Sequence, residues 1–206
     1  LISIGNEHDN HPTDVAPAPD GGAYLLMEYS DEITVGGTTL EASEYNCNGC
    51  YGDNSPNVNV LLTRINANGS IAWATQFGNH EADSAWSMDV DSDFNPTILA
   101  SKWGRVTCTG ANPCDNVVYK FWDADGTYTT GSEAKGGVSS VRYSSEGAYQ
   151  GRTYMQSAKE SSELCNSGNG GVSYCWEPGT TMIHNESTYH LLGISGNYGL
   201  GMSTEV

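Results

Sequence analysis

The residue types able to do chemistry fall into three groups: six cysteines, five histidines and an excess of carboxylates. The densest carboxylate run is "DVDSDFN", where Asp89, Asp91 and Asp93 alternate along the chain and end on Asn95. Three acids on a bend are weak candidates for a short calcium turn. A calcium loop between helices needs glycine at its sixth place and a bidentate glutamate at its twelfth, where Phe94 and Ala100 stand. The alternative is an acidic turn whose aspartates cap their own backbone. Of the histidines (His8, His11, His80, His184, His190), only "HDNH" brings two within reach of one metal, in a loop whose later copy reads "HEAD". No nucleophile elbow or phosphate-cradling glycine loop is present. Among 25 acids, sequence singles out no pair as a glycosidic acid and base. The expectation is a chain that is not an enzyme and takes no cofactor.

The cysteines form three close couples, Cys47–Cys50 in "CNGC", Cys108–Cys114 in "CTGANPC" and Cys165–Cys175 in "CNSGNGGVSYC". "CNGC" has the spacing of half a zinc site but lacks a second half. It also lacks the helix start of a thioredoxin-like redox motif. Proximity and the Gly, Asn, Pro and Ser filling of these loops favour a local disulfide within each couple. Disulfides persist in oxidising compartments, so the expected location is secreted or extracellular. The 25 acids against 8 bases leave a net charge of −17, a field that repels phosphate backbones and anionic lipid. Nucleic acid is therefore excluded as a partner. No apolar run approaches the roughly 20 residues that span a bilayer. The opening "LISIGNEHDN" shows neither Met nor signal peptide, as expected of a chain whose leader was removed or of a segment of a longer precursor.

The elements that must position these groups are strands. Twelve tyrosines, five tryptophans and 25 glycines suit short strands and tight turns, and no long stretch keeps a 3.6-residue apolar period. The chain also repeats. "SIGNEHDN" aligns with "QFGNHEAD" at an offset of 73, pairing Gly5 with Gly78, Val15 with Met88, Asp20 with Asp93 and Leu26 with Leu99. "VRYSSEGAYQGRTYMQS" is a third copy of that hairpin, turning at Glu146–Gly147. A second hairpin, "VLLTRINANGSIAW", turns at Asn68–Gly69, and "VVYKFWDADGTYTT" turns 57 residues later at Asp125–Gly126. "TMIHNESTYHLLGISGN" is a poorer copy without the glycine. Asn-Gly and Asp-Gly predict two-residue hairpin turns with positive φ at both central positions.

Together these features predict an all-β fold of three propeller-blade-like units of antiparallel strands, at about 6–78, 79–136 and 137–196. Residues 1–5 would then be the closing strand of a neighbouring unit, so the ends are frame-shifted. The run "NVNVLLTRINANGSIAWATQFGNHEAD" resembles the SBBP-type β-propeller repeat of secreted and cell-surface proteins, over roughly residues 1–135. That resemblance implies blade architecture and carries no catalytic residues. The acidic, Gly- and Tyr-rich composition with small cysteine loops also resembles, more weakly, the flagellar-hair (mastigoneme) proteins of heterokont algae. Three blades do not close a ring. Split ends invite completion of a sheet by a neighbour, through Leu1, Ile2, Ser3 and Ile4, which would build a head-to-tail homopolymer. The expected function is thus an extracellular structural protein, the subunit of a filament or surface appendage. The alternative is a carbohydrate-binding propeller-type module of a larger secreted protein, with a pocket lined by tyrosines. Trp73, Trp86, Trp103, Trp122 and Trp176 are candidate sugar-stacking platforms, although Trp73 and Trp86 lie in repeat strands and are expected to pack between sheets. Two sequons, Asn68 in "NGS" and Asn185 in "NES", fall at hairpin tips and are candidate N-glycosylation sites. The Ser/Thr-rich loops are candidates for O-linked sugar.

Overall fold

Short runs of β-branched and aromatic residues, bounded by Gly, Asn and Asp, form strands throughout. A computed structural model describes residues 3–8, 10–42, 58–78, 83–102, 117–133, 137–157, 175–184, 187–195 and 201–205. In chain order the strands are β1 (Asn10–Pro17), β2 (Ala23–Ser30), β3 (Glu32–Val35), β4 (Thr38–Glu41), β5 (Val58–Ile65), β6 (Ile71–Gly78), β7 (Asp83–Val90) and β8 (Pro96–Lys102). They continue with β9 (Val117–Trp122), β10 (Tyr128–Glu133), β11 (Gly137–Tyr143), β12 (Tyr149–Ser157), β13 (Cys175–His184), β14 (Ser187–Ser195) and β15 (Gly201–Glu205).

These strands pair into four open sheets: β1-β2-β5-β6-β9-β10, β12-β11-β8-β7, β13-β14-β15 and the hairpin β3-β4. None closes or curls into a propeller blade, which corrects both the predicted fold class and the likeness to the propeller repeat. Hairpins are traded between the units. β9 joins the edge of β6 through only two residue pairs, Phe77 with Phe121 and Gly78 with Lys120. Meanwhile β8 pairs with β11, from Lys102 opposite Gly137 to Thr97 opposite Arg142.

Aromatic burial accounts for this exchange. The first two sheets pack face to face over one core containing Tyr24, Leu26, Val60, Leu62 and Phe77 from one side and Met88, Ile98, Val141 and Tyr143 from the other. Through it runs an aromatic column. Phe121 stacks on Tyr149 at 4.5 Å and on Phe77 at 6.1 Å, and Phe77 lies 6.3 Å from Tyr143. Each such pair contributes about 0.5–1.5 kcal/mol beyond its buried area. On the opposite face of the first sheet, Met27, Tyr29, Leu61 and Ala74 are covered by Ile33, Val35 and Leu40 of the β3–β4 hairpin. Burial on both faces is why β5 reads as the nearly continuous apolar run "VNVLLTRI".

The turns also differ from expectation. In the β5–β6 loop the Gly69 N–H donates to the Asn66 carbonyl at 2.8 Å and the Asn66 N–H to the Ser70 carbonyl at 2.9 Å. Gly69 has φ +85°, whereas Asn68 is not among the residues with positive φ. That is a three-residue loop, a type I turn followed by one left-handed residue, and it needs a single glycine. Asp123–Thr127 and Ser144–Ala148 repeat the same bonds, with Gly126 at φ +85° and Gly147 at +84°. Asp91–Asn95 repeats them with Phe94 at φ +60°. The two-residue turn with both residues left-handed does occur, but at Gly36–Gly37 between β3 and β4.

Leu1 and Ile2 lie outside the described residues. Ser3 and Ile4 belong to no strand, and Ile4 packs partly buried beside the Met27–Tyr29 cluster. Without propeller blades to complete, the head-to-tail filament is not supported, and the propeller-type carbohydrate module falls for the same reason. Cys47, Cys50, Cys108, Cys114 and Cys165 also lie outside the described residues, and only the backbone of Cys175 is described. The three expected disulfides therefore all fall outside the described side chains.

The turn geometry sets a graded expectation. A Cβ at Gly69 would meet nothing within 4 Å, whereas one at Gly147 would lie 2.7 Å from the Ala124 Cβ and 2.9 Å from the Trp73 ring. Gly69→Ala should cost only the left-handed backbone term of about 1 kcal/mol. Gly147→Ala adds overpacking and should cost about 2–4 kcal/mol. Urea unfolding of the two variants measures the difference.

Candidate functional site

The turns of four hairpins meet at one end of the two-sheet core, and a buried arginine sits among them. Arg64 is the penultimate residue of β5, in the run "LLTRI", and is only 8% exposed. Its Nη1 donates to the Ser145 carbonyl at 3.2 Å and to Glu146 Oε1 at 3.3 Å, and its Nη2 donates to Asp20 Oδ2 at 3.0 Å. The Ser145 carbonyl also accepts from Trp73 Nε1 at 3.2 Å and, at a longer 3.4 Å, from the Tyr24 hydroxyl. Tyr24 donates more closely to the Phe94 carbonyl, at 2.9 Å. Its pKa is pushed up to about 12, chiefly by burial, against the opposing pull of Arg64, so it stays a donor at neutral pH. The Ser145 N–H in turn donates to Asn95 Oδ1 at 3.0 Å, and Arg142 pairs with Asp91. Turns at Asp20, Asp91–Asn95 and Ser144–Ala148 are thereby fixed to the ends of β5 and β6. The Asp123–Thr127 turn joins through the Ala124 N–H, which donates to the Gly147 carbonyl at 3.0 Å.

Two of the three carboxylates that sequence offered for metal binding, Asp89 and Asp91, are engaged by backbone N–H groups. Asp91 Oδ1 accepts from the N–H groups of Asp93 and Asn95, and its Oδ2 accepts from Asn95 Nδ2. Asp89 points elsewhere, accepting from the Val90 N–H at 2.8 Å and from the Ile183 N–H of β13 at 2.7 Å. Asp89, Asp91 and Asp93 therefore do not converge, and no group of three metal-binding side chains occurs among the described residues. His8 lies 3.2 Å from Asp31, while His11 sits on β1 opposite Glu28. His80 lies outside the described residues, and the side chains of His184 and His190 are not described.

Sequence reading missed the role of two "Asp-Val" dipeptides. Asp14 on β1 accepts from the Val15 N–H and from the Met88 N–H of β7, each at 2.8 Å. Asp89 on β7 repeats the arrangement toward β13. The two acids clip β1 to β7 and β7 to β13, and the recurrence of "DV" was the available signal. Asp125 belongs to the same class. Its pKa is lowered by the Thr127 hydroxyl and by the Thr127 N–H. Glu28 differs, with its pKa raised mainly by burial although the Ala85 N–H, the Ser84 hydroxyl and His11 favour the ionised form.

The tryptophans separate by face. Trp73 packs on the main core beside Tyr24, at 5.8 Å, and Trp86 packs on Leu99 and Val138. Trp103 and the side chain of Trp176 are outside the described residues. Trp122 lies on the outer face of the first sheet, beside the half-exposed Tyr128. Of the two sequons, Asn185 is outside the described residues. Asn68 occupies the exposed tip of the β5–β6 loop, where its Oδ1 accepts from the Ser70 N–H at 2.9 Å and from Ser70 Oγ at 2.7 Å. No helix among the described residues is long and apolar enough to cross a membrane.

Compared with known proteins, the chain matches no family model and shows no significant match to a curated protein.

Two stability measurements follow from this geometry. Arg64→Met should cost about 2–3 kcal/mol, because buried donors to Ser145 are lost. Asp20→Asn and Glu146→Gln should each cost less than about 1 kcal/mol, because both carboxylates are largely in water. Glu28 holds its proton more tightly in the folded chain than in the unfolded one. Its contribution to stability is therefore present below the ordinary glutamate value of about 4.3 and is lost as pH rises through the folded value. Glu28→Gln keeps an acceptor for Ala85 and removes that loss. Its urea midpoint should gain on the parent protein between pH 4 and pH 7.

Proposed function

We propose that this chain is a non-catalytic module of the extracellular space that holds hairpin turns in a fixed array and carries an N-linked glycan at Asn68. The supporting observation is the use to which the polar side chains are put. Asp14, Glu28, Asp89, Asp91, Asp123 and Asp125 each accept a backbone N–H. Carboxylates engaged in this way lie along strands and in turns, not paired across a cleft as general acid–base chemistry needs.

The Asn68 loop favours modification on similar grounds. The Ser70 backbone and hydroxyl hold the Asn68 Oδ1, which leaves Nδ2, the atom that bears an N-glycan, at an exposed tip. Asp125 and Thr127 occupy the corresponding places in the β9–β10 loop with the same two bonds, at 2.9 and 2.7 Å. An acid at this position thus keeps the turn, and Asn68→Asp removes the acceptor nitrogen without disturbing the loop.

The test is expression through a eukaryotic secretory pathway, followed by mass spectrometry. The parent protein should carry hexose-bearing mass at the Asn68 peptide, sensitive to peptide N-glycosidase and absent from Asn68→Asp. A secreted protein whose Asn68 peptide is wholly unmodified would overturn the glycan assignment. Turnover of any polysaccharide or peptide substrate by the purified chain would overturn the non-catalytic one.

A further inference from the structure

We propose that the outer face of the β9–β10 hairpin is a binding platform for a neutral pyranose ring, formed by Trp122 and Tyr128 with Lys120 as hydrogen-bond donor. The proposal rests on the reading of the chain as non-catalytic and adds a ligand to it. Trp122 and Tyr128 are directly opposed across the hairpin, with ring centroids 5.6 Å apart and planes inclined at 49°. Tyr128 is 52% exposed. Lys120, two residues before Trp122 on the same face, places its ammonium 5.5 Å from the Trp122 centroid and 5.2 Å from that of Tyr128. Thr130, exposed, stands opposite Lys120.

The two faces of this hairpin are treated differently. On the inner face Tyr119 and Phe121 belong to the core, and the Arg152 guanidinium lies 5.1 Å above both rings. On the outer face the β3–β4 hairpin covers the neighbouring strands β2, β5 and β6. Trp122 is itself partly buried, so Tyr128 presents most of the open ring surface.

The chemistry of the patch selects its occupant. Flat aromatic faces accept the C–H face of a sugar ring, and the Lys120 ammonium over one side of the pair and the neighbouring Thr130 hydroxyl suit its ring of hydroxyls. This is the combination of apolar lining and a few polar groups typical of small-ligand sites. A nucleotide stacks on the same rings, but its phosphates oppose a net charge of −17, and the same field disfavours uronic or sulfated sugars. A folded protein partner needs about 800 Å² per side, well beyond two rings that offer roughly 150–250 Å² each.

Native gel electrophoresis in gels cast with soluble polysaccharide tests the assignment, with hydroxyethyl cellulose, arabinoxylan and galactomannan as neutral probes and alginate as the acidic one. At least one neutral polymer should retard the protein. That retardation should be lost in Tyr128→Ala and Trp122→Ala and kept in Tyr128→Phe, and alginate should have no effect. Tyr128 is exposed enough for its truncation to leave the unfolding midpoint close to that of the parent. Three results would each overturn the platform: no retardation by any neutral polymer, retardation unchanged in Tyr128→Ala, or retardation by alginate alone. Shortening of the polymer in the gel would overturn the non-catalytic reading instead, so the two failures are distinct.

Discussion

One backbone carbonyl, that of Ser145, organises the end of the core where the hairpins turn. It accepts from the Arg64 guanidinium, the Trp73 indole and the Tyr24 hydroxyl. Those donors come from β5, β6 and β2, while the acceptor sits in the turn between β11 and β12. The contact therefore joins the first sheet to the second at the point where both run out into loops. Arg64 incurs a cost for the position. Its Nε is buried without a partner among the described residues, and an unpartnered buried donor costs about 1–3 kcal/mol. Its terminal nitrogens offset this by reaching the surface carboxylates of Asp20 and Glu146. The aromatic column from Phe77 through Phe121 to Tyr149 then fills the space between sheets whose separation and register the turns have fixed.

The acidic character of the chain has a structural side. A net charge of −17 usually signals a solvated surface or a cation-binding face. Here many carboxylates replace missing ladder bonds. Asp14 satisfies the Met88 N–H of β7, and Asp89 satisfies the Ile183 N–H of β13. Charge-assisted acceptors are roughly twice as strong as neutral ones. Strands that belong to separate sheets are thereby joined without a continuous ladder, and the β13–β14–β15 sheet is attached to β7 in this way. The Ser87 hydroxyl, accepting from the Thr181 N–H at 2.8 Å, continues the same seam.

Local structure was legible in the sequence and sheet order was not. The glycines of "NANGS", "DADG" and "SEGA" mark the left-handed residue of real turns. The offset of 73 also pairs residues of matching structure, since Leu26 and Leu99 are both fully buried and Gly5 and Gly78 have φ of +156° and +159°. The turn type was misjudged because a type I turn with one left-handed residue demands the same Asn-Gly or Asp-Gly dipeptide as a two-residue turn. Strand order depends on contacts between residues far apart in sequence, such as Phe77 with Phe121, which periodicity does not encode. The β3–β4 hairpin lies outside the repeat, and although the Gly-Gly of "TVGGTT" is a two-residue turn signal, its apolar face finds a partner only in Leu61 and Ala74 of the first sheet. Arg64 carries no sequence signal of burial, being one charged residue in an apolar run. Its long apolar stem lets it lie buried and still reach water at the turn end.

Donors from separate strands act as a unit on the Ser145 carbonyl. A double-mutant cycle on Arg64→Met and Trp73→Phe, read by equilibrium urea unfolding, tests it most directly. Trp73→Phe removes the indole N–H and keeps an aromatic ring. A coupling energy of about 0.5–3 kcal/mol, the range for residues sharing one network, is the predicted result. Losses that add within about 0.3 kcal/mol, as expected of independent sites, would contradict it.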